Sequence, residues 1–397
     1  MTIRRVPEDF RVIEVLAPRA LARLGVRTPR SKWGVYQITK TKLTTPDVAQ
    51  RLAKLVGCPA GKVGWAGLKD KYAVTTQVMS VPAVQTLPER VEGVGFSGEL
   101  MGWSEDELCA ASIAGNRFEI VVRDLSKHAA EAMASRLATL RDSDGEVWMV
   151  NYYGEQRFTS ARHGKGFAGE KLIRGDFDGA LRLLIGTPAR KDSPTRHEFS
   201  RAAANLWGKW SELLAVFPKC PERRAIEALA AGKSVVEAFT SLPYLDQQMA
   251  VEAYQSHLWN RSAERLVRSI ARAEQVLIAA DAYGEIAFAP LESNWRNEML
   301  PVPAHDVDMS RLMPEVQRAV DAALRDVGVT LEQLRIKEVR RPAFSTVGRP
   351  LCMRVADLEL SAIERDDMTT GSRYKRAIKF RLGTGSYATV VLRAIGQ

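Results

Sequence analysis

The sequence predicts a mixed α/β (α+β) fold, in which a discontinuous mixed-sheet domain is interrupted by an inserted, mainly helical domain. Alternating and β-branched runs lie near both ends of the chain, whereas the middle has the spacing of amphipathic helices. Basic residues are also concentrated at the two ends. Because termini often share one sheet and insertions are tolerated at loop tips, these patterns indicate one sheet interrupted by helices.

Length and composition are those of a globular chain. At about 100–200 residues per domain, 397 residues suggest two or three domains. The apolar share of 46% and the charged share of 26% argue against disorder and fibrous repeats. No apolar run reaches the length of about 18 residues that a membrane span needs, and no secretory signal is expected at the start.

Cysteine and histidine usage argues against a zinc site and against a disulfide framework. The four cysteines are scattered without a CxxC pair, and the five histidines never stand at metal-ligand spacing. This usage fits a reducing cytoplasm. The residues concerned are Cys58, Cys109, Cys220, Cys352, His128, His163, His197, His257 and His305.

Charge is unevenly distributed along the chain. Residues 1–77 carry 15 basic and 5 acidic side chains, and residues 335–397 carry 13 and 6. The middle, 78–334, holds the remaining 29 basic and 36 acidic side chains, a net charge of −7. Two interpretations stand: an ordinary solvated surface, or two basic ends that form one polyanion-binding face of a folded nucleic-acid binder.

The N-terminal elements are predicted from alternation and from helix-boundary residues. Residues 34–40 alternate as a strand does. The helix that follows has Thr45 as a plausible N-cap, Pro46 in its first position and Gly57 at its end. A short strand is expected at 63–67 and a polar loop at 68–76. Strands are expected at 77–83 and 117–123, a helix at 126–140 and another strand at 146–153.

The middle of the chain is predicted to be helical. Residues 245–272 repeat apolar side chains near helical spacing, which marks one buried face. Further helices are expected at 196–216, 313–326 and 330–335. Strand character returns after Arg340, in the segments 378–382 and 387–393.

Three patterns resemble functional motifs but lack a required feature. The run at 231–234 ends like a P-loop, but Glu227 stands where that motif needs its first glycine. The run at 383–388 has dinucleotide-fingerprint spacing, but a predicted strand follows it rather than a helix. Asp366 and Asp367 suggest a metal-dependent phosphodiesterase, but neighbours on a strand point to opposite faces and no histidine accompanies them.

The segment 64–77 carries a candidate catalytic group. A glycine-interrupted strand leads into a polar loop, in which Lys69 and Lys71 flank Asp70. Lysines on both sides favour the ionised carboxylate and an anionic substrate nearby. Such a carboxylate can act as a nucleophile. The local alternative is a β-turn aspartate between two solvated lysines.

A second unusual segment, 151–158, combines amide, aromatic and guanidinium groups. Amides read base edges and aromatic rings stack on bases, so the residues from Asn151 to Phe158 suit a flipped nucleobase. The alternative is a strand end with core aromatics. Taken by themselves, Phe10 and Tyr387 near the chain ends would be assigned to the core.

In chain order, four segments resemble the signature of the TruD family of tRNA pseudouridine synthases. They are PEDF at 7–10, AGLKDKYAVTTQ at 66–77, NYYGEQRF at 151–158 and GSYAT at 385–389. The resemblance covers nearly the whole chain, with further similarity at 115–118 and 253–260. The sequence departs from the family pattern at Thr159, Gly383 and Ala114, which concerns substrate choice or affinity.

The resemblance implies an isomerase that converts uridine to pseudouridine in tRNA, usually at position 13 of the D arm, without metal, nucleotide or redox cofactor. The implied fold is a pseudouridine synthase catalytic domain at 1–165 plus 345–397, with an inserted TRUD domain at 166–344. A cytoplasmic monomer that binds tRNA and no membrane is expected. A non-catalytic RNA-binding protein on the same fold is the alternative.

The resemblance also assigns roles to individual residues. Asp70 matches the catalytic aspartate, a nucleophile toward either the ribose or the pyrimidine ring, and Asn151 matches a residue that contacts the target nucleotide. Lys69 and Lys71 would contact phosphate or set the electrostatics around that aspartate. Arg4 would supply its basic partner. The aromatic positions of the pocket are matched by Phe10, Phe158 and Tyr387.

Overall fold

The computed structural model describes residues 2–83, 86–162, 164–189 and 192–396, with the backbone alone at residue 281. The chain divides into two compact units, Met1–Trp148 with Met353–Gln397, and Met149–Cys352. The first unit is discontinuous in sequence, in agreement with the predicted fold class. The assignment of a catalytic and a TRUD domain, with limits at 165 and 345, stays a prediction.

The described residues form strands and helices along the whole chain. The strands are β1 Phe10–Leu16, β2 Trp33–Lys40, β3 Gly64–Trp65, β4 Val74–Pro82, β5 Arg90–Gly93, β6 Phe96–Ser104, β7 Ile113–Leu125, β8 Trp148–Val150, β9 Leu277–Asp281, β10 Gly284–Phe288, β11 Met299–Pro301, β12 Gly348–Pro350, β13 Cys352–Arg354, β14 Ala356–Leu360, β15 Glu364–Arg365 and β16 Tyr374–Gly383. The helices are α1 Pro18–Leu21, α2 Thr45–Val56, α3 Lys127–Leu140, α4 Ala168–Ile173, α5 Phe177–Gly186, α6 Pro194–Asn205, α7 Trp210–Val216, α8 Arg223–Ala230, α9 Val235–Thr240, α10 Tyr244–Ile270, α11 Ser293–Arg296, α12 Pro314–Asp326 and α13 Ala388–Ala394. None of these helices is long and apolar enough to cross a membrane.

A mixed sheet organises the first unit. Its strand order is β14-β16-β7-β1-β4-β2-β6-β5, with β3 added beside β4 and β15 beside β16. Strands β1 and β4 pair in parallel, from Arg11 opposite Val74, whereas the other pairs of this sheet are antiparallel. The first and last strands, β1 and β16, lie on either side of β7. The prediction that the two chain ends share one sheet is therefore confirmed.

Helix α2 packs its buried face against this sheet and begins one residue earlier than predicted. Thr44, not Thr45, is the N-cap: its hydroxyl accepts a hydrogen bond from the Asp47 amide, and the Asp47 carboxylate accepts one from the Thr44 amide. Gly57 ends the helix with φ of 73°, as predicted. Thr45 is buried, and its hydroxyl is hydrogen-bonded to Lys69 and Gln77.

The segment after β16 contradicts the predicted strand at 387–393. It forms helix α13, because Ala388, Val391 and Leu392 recur at helical spacing and pack in the core. Packing overrides the strand preference of the β-branched residues at 389–391. The reason given above against a dinucleotide motif at 383–388 is thus wrong. Strand β16 nevertheless pairs antiparallel with both neighbours, whereas that motif requires a parallel βαβ unit.

The second unit is mainly helical and is arranged around α10, a 27-residue helix that matches the prediction for 245–272. The predicted helix at 196–216 is instead two helices, α6 and α7, separated by a turn in which Gly208 has φ of 90°. The segment 330–335 makes only a 3₁₀ turn at Leu331–Gln333.

The strand predicted at 146–153 is limited to β8. Beyond β8, side chains from other parts of the second unit hold the backbone. Asn260 accepts a hydrogen bond from the Tyr153 amide and donates one to its carbonyl. Arg349 donates to the carbonyl of Asn151.

Asp366 and Asp367 follow β15 and do not lie on a strand, so the argument that they face opposite ways is wrong. Both carboxylates lie 2.8 Å from the same Nη1 atom of Arg123. Arg123 is buried, and its Nε donates to Asp9. The two aspartates are therefore partners of a buried arginine, and in the described residues no group of three His, Cys, Asp or Glu side chains is placed to hold a metal ion.

Candidate active site

Asp70 lies in the polar loop between β3 and β4, with 27% of its side chain exposed. Its Oδ1 accepts a hydrogen bond from the Tyr72 amide at 2.9 Å, which closes an Asx turn. Its Oδ2 lies 2.8 Å from Nη1 of Arg4. The carboxylate is therefore oriented by two donors and still reaches solvent.

Arg4 is positioned by the segment that precedes β1. The carboxylate of Asp9, which is buried, accepts hydrogen bonds from the amides of Arg5 at 3.0 Å and Val6 at 3.2 Å. The Arg4 guanidinium then lies over the ring of Phe10, 4.2 Å from its centroid. Aspartate and phenylalanine of the PEDF segment thus place the arginine against Asp70.

Phe10 and Tyr387 belong to the same unit as Asp70. Phe10 is 4% exposed and meets Phe118 edge to face, with ring centroids 6.3 Å apart. Tyr387 is half-buried and immediately precedes helix α13. The Phe10 ring therefore packs in the core, and the Arg4 guanidinium covers one of its faces.

Lys40, at the end of β2, holds the backbone of the Asp70 loop. Its Nζ donates to the carbonyls of Asp70 at 2.9 Å, Leu43 at 2.8 Å and Lys69 at 3.4 Å. The side chain is 1% exposed, and this burial lowers the pKa of Lys40 to about 8, against the attraction of the Asp70 carboxylate. Lys40 is a site residue that the sequence analysis missed.

The two lysines that flank Asp70 have different environments. The Nζ of Lys69 lies 2.5 Å from Oε1 of buried Glu14, whose Oε2 accepts a hydrogen bond from the Val78 amide. Lys71 is exposed. Lys69 is thus paired inside the fold and Lys71 faces solvent, while the roles expected for the two lysines, a phosphate contact or the electrostatics around Asp70, stay predictions.

Thr45 fixes the loop from a third direction. Its hydroxyl accepts a hydrogen bond from the Lys69 amide at 3.0 Å and donates to Oε1 of Gln77 at 2.9 Å. Lys40, Glu14 and Thr45 together hold the backbone before Asp70 in one conformation. Such preorganisation is what a nucleophile needs.

Asn151 lies in the second unit and is buried. Its Oδ1 accepts a hydrogen bond from Nη2 of Arg349 at 2.9 Å, and its backbone N–H donates to the carbonyl of Leu351. The Arg349 guanidinium lies over the ring of Tyr153, 4.0 Å from its centroid. Asn151 and Tyr153 of the 151–158 segment therefore make contacts within the second unit. Their amide and aromatic groups are also of the kinds that bind nucleotides.

Phe158 is fully buried in the second unit. Its ring packs on Tyr283, with centroids 4.6 Å apart, and meets Phe167 edge to face at 6.1 Å. Burial also lowers the pKa of nearby His257, which stacks on Phe167, to about 4. In this structure the Phe158 ring belongs to an aromatic cluster of the core.

The structure thus brings Arg4, Phe10, Lys69 and Asp70 into one contact network in the first unit. Asn151 and Phe158 lie in the second unit, where Asn151 is bonded to Arg349 and Phe158 packs on Tyr283. Glu14 and Lys40 are charged residues of β1 and β2, but the same strands also carry Arg11, Gln37 and Thr39, so the sequence does not single them out. Their partners are distant in sequence, so no local pattern identifies what they bind.

Comparison with known proteins gives a consistent result. The family model of tRNA pseudouridine synthase D (TruD) matches residues 1–395. A tRNA pseudouridine synthase D of Aquifex aeolicus is 27% identical over 99% of this chain and 97% of its own length. A probable tRNA pseudouridine synthase D of Halobacterium salinarum is 31% identical over 98% of this chain and 92% of its own length.

The fold has a counterpart among solved structures. The crystal structure of a putative tRNA pseudouridine synthase D from Methanosarcina mazei superposes with a TM-score of 0.73. The match covers 99% of this chain and 92% of that chain, at 22% sequence identity. At this identity the likeness supports the mixed-sheet fold with its helical insertion.

Proposed function

The chain belongs to the tRNA pseudouridine synthase D family, and from that premise we propose that it isomerises uridine at position 13 in the D arm of tRNA, with Asp70 as nucleophile. Family membership makes it an isomerase that converts uridine to pseudouridine in tRNA. The position and the nucleophile are our proposal. The observation that carries it is the Asp70 carboxylate, which is partly exposed and lies 2.8 Å from Arg4 in a loop fixed from three sides.

The proposed reaction breaks the bond between ribose C1′ and uracil N1 and joins C1′ to C5 of the same base. The proton leaves C5, and N1 gains one, so atoms balance without an oxidant or reductant. Asp70 attacks either the ribose or the pyrimidine ring, and both routes need an ionised carboxylate. The guanidinium of Arg4, 2.8 Å from Oδ2, holds the carboxylate in one orientation.

The remaining pocket residues keep their proposed roles with changes that follow from their contacts. Oδ1 of Asn151 accepts from Arg349, so its proposed contact with the target nucleotide uses the Nδ2 donor or the second lone pair of Oδ1. Of the three aromatic residues assigned to the pocket, half-buried Tyr387 is the most exposed, and we propose that it meets the base. The rings of Phe10 and Phe158 are buried and pack on other aromatic side chains of their own units, so we propose a structural role for both rather than stacking on the base.

The experiment measures tritium release from tRNA transcripts that carry 5-tritiated uridine. Wild-type protein should release tritium, and a transcript with cytidine at position 13 should release none. Asp70→Asn should fall to background, because it keeps the acceptor for the Tyr72 amide but loses the nucleophile; a lost covalent step costs several orders of magnitude. Asp144→Asn, at an exposed turn of the same unit, is the matched control.

Two outcomes would contradict the proposal. An Asp70→Asn protein that keeps about a tenth of wild-type turnover removes the nucleophile assignment. A wild-type protein that binds tRNA and releases no tritium from any transcript supports the alternative, a non-catalytic RNA-binding protein.

We further propose that the protein acts in the cytoplasm as a monomer and needs no cofactor. Turnover should then survive exhaustive dialysis against EDTA. Activity lost to the chelator and restored by zinc or magnesium would contradict the cofactor-free reaction, and a dimeric mass in solution would contradict the monomer.

A further inference from the structure

A basic groove lies in the second unit, apart from the residues assigned above. It has a volume of about 460 Å³ and is lined mainly by residues 334–344 together with His305. Three of its lining cations are Arg335, Lys337 and Arg340, and all three side chains are exposed. Glu338 is the one carboxylate in the lining.

The groove wall is held by apolar anchors. Leu334, Ile336 and Phe344 are buried, at 0%, 5% and 3% exposure. Buried Leu334 and Ile336 alternate with exposed Arg335 and Lys337, so the apolar side chains anchor the segment and the two cations face solvent. The cations are therefore presented by a fixed wall, so a ligand that binds them pays little entropy to order the backbone.

The groove cations differ from the other cations that line cavities in this unit. Arg162 pairs with Asp192, and Arg196 pairs with Glu222. Arg335, Lys337 and Arg340 have no ion-pair partner among the residues that the structure describes. Three like charges within six residues repel one another in the free protein, and an anion in the groove removes that repulsion.

We propose that the groove formed by Arg335, Lys337 and Arg340 binds the phosphate backbone of the tRNA substrate. Guanidinium groups match phosphate oxygens as bidentate donors, and an ammonium adds a point charge. The inference rests on the proposed function, because it takes tRNA as the polyanion. It adds a second RNA-binding surface, carried by the helical unit, to the site at Asp70.

The charge distribution of the sequence gains a different meaning from this groove. One of the two interpretations of the charge pattern joins the basic stretch 335–397 to residues 1–77 on one face, whereas Arg335, Lys337 and Arg340 belong to the second unit. Each unit thus contributes its own cations toward the RNA. Phosphate contacts position an RNA and carry no sequence information, so this surface should act on cognate and non-cognate tRNA alike.

The test compares two triple variants in the full-length protein. In the groove variant, Arg335, Lys337 and Arg340 are replaced by alanine. In the control variant, Lys219, Arg224 and Arg272 are replaced by alanine; these exposed residues of the same unit do not line the groove, and the change in net charge is equal. Affinity for tRNA is measured by fluorescence anisotropy from 50 to 300 mM salt.

The groove variant should bind tRNA about tenfold more weakly at 150 mM salt, and the slope of log affinity against log salt should fall by two to three, near 0.9 per lost phosphate contact. The control should stay within twofold of wild type. The loss in kcat/KM should come from KM, and both variants should melt as wild type does. If the triple variant unfolds, Arg340→Gln alone is measured, with an expected slope change of about one.

The proposed tRNA contact at the groove would be overturned if the folded groove variant kept the wild-type salt slope and tRNA affinity. An equal loss of affinity in the control variant would overturn it as well. That result is distinguishable from failure of the proposed function, since wild type would still release tritium. Conversely, a groove variant that loses affinity beside an inactive wild type would leave an RNA-binding surface without the isomerase.

Discussion

Lys40 is the residue whose protonation state should set the alkaline limit of activity. Its ammonium donates to the carbonyls of Leu43, Lys69 and Asp70, and burial lowers its pKa to about 8. The charged groups that face it are the carboxylates of Asp70 and Asp47, which raise its pKa, and Lys69, which lowers it. Loss of the proton removes one donor and the charge that orders the loop.

We therefore expect kcat/KM to decline as pH rises through about 8, without a loss of stability. The folded pKa lies below the ordinary value of 10.5, so between these pH values the unfolded chain binds the additional proton. The free energy of unfolding then rises with pH across that window. A pH profile of tritium release and chemical denaturation at pH 7 and 9.5 measure the two quantities.

Two variants assign the alkaline decline. Lys40→Met should lower turnover at all pH values by loosening the Asp70 loop. Lys40→Arg keeps a permanent charge, so it should retain more activity than Lys40→Met and lose the decline near pH 8. A decline that persists unchanged in Lys40→Arg would assign it to another group, such as the uracil ring.

At the residue scale, the sequence identified Asp70 and a basic partner at Arg4, and the structure puts these two side chains in contact. It did not identify Lys40 or Glu14. The reason is physical: a buried charge is compatible with the fold only with its partners, and the partner of Glu14 is 55 residues away along the chain, at Lys69. Such pairings follow from strand order, which local patterns do not specify.

At the scale of elements, the neighbouring threonines at the start of α2 have different functions, and a matched pair of variants separates them. Thr44→Ala removes the N-cap and should lower the free energy of unfolding by about 1 kcal/mol while leaving turnover near wild type. Thr45→Val keeps the shape of the side chain but loses its bonds to the Lys69 amide and Gln77. It should lower turnover more strongly than Thr44→Ala does.

Denaturant unfolding and tritium release check this pair. Equal losses of turnover in both variants would mean that the Asp70 loop does not depend on the bond from Thr45. The sequence favoured Thr45 as the cap because proline follows it, yet proline is equally suited to the second helical position. Threonine at either position was compatible with the pattern, and the hydroxyl contacts decide between them.

Helix α13 and the pair α6 and α7 show where element prediction fails and why. In α13 the β-branched residues predict a strand, but the buried positions Ala388, Val391 and Leu392 lie on one helical face that packs in the first unit. Between α6 and α7, a single positive-φ glycine, Gly208, separates two helices that a continuous pattern would join. Long periodic segments such as α10 are predicted reliably because their burial spans several turns.

At the scale of the whole molecule, the two ends of each unit lie beside one another. In the second unit the Asn151 amide donates to the carbonyl of Leu351 at 2.8 Å. In the first unit the Val355 amide donates to the carbonyl of Val147 at 2.9 Å. Each unit has its own core of buried residues, and its entry and exit segments are neighbours, as in an independently folding domain.

This arrangement predicts that the two units fold separately. A fragment of residues 149–352 should unfold cooperatively on heating, with the circular dichroism of a helical protein. A chain in which a short Gly-Ser linker joins Trp148 to Met353 should also fold, because Val147 and Val355 are already hydrogen-bonded neighbours. Neither piece should release tritium, since Asp70 and Asn151 are then on different molecules. A linked first unit that stays unfolded would show that its sheet needs the insertion, and a linked first unit that turns over tRNA would remove the proposed role of Asn151.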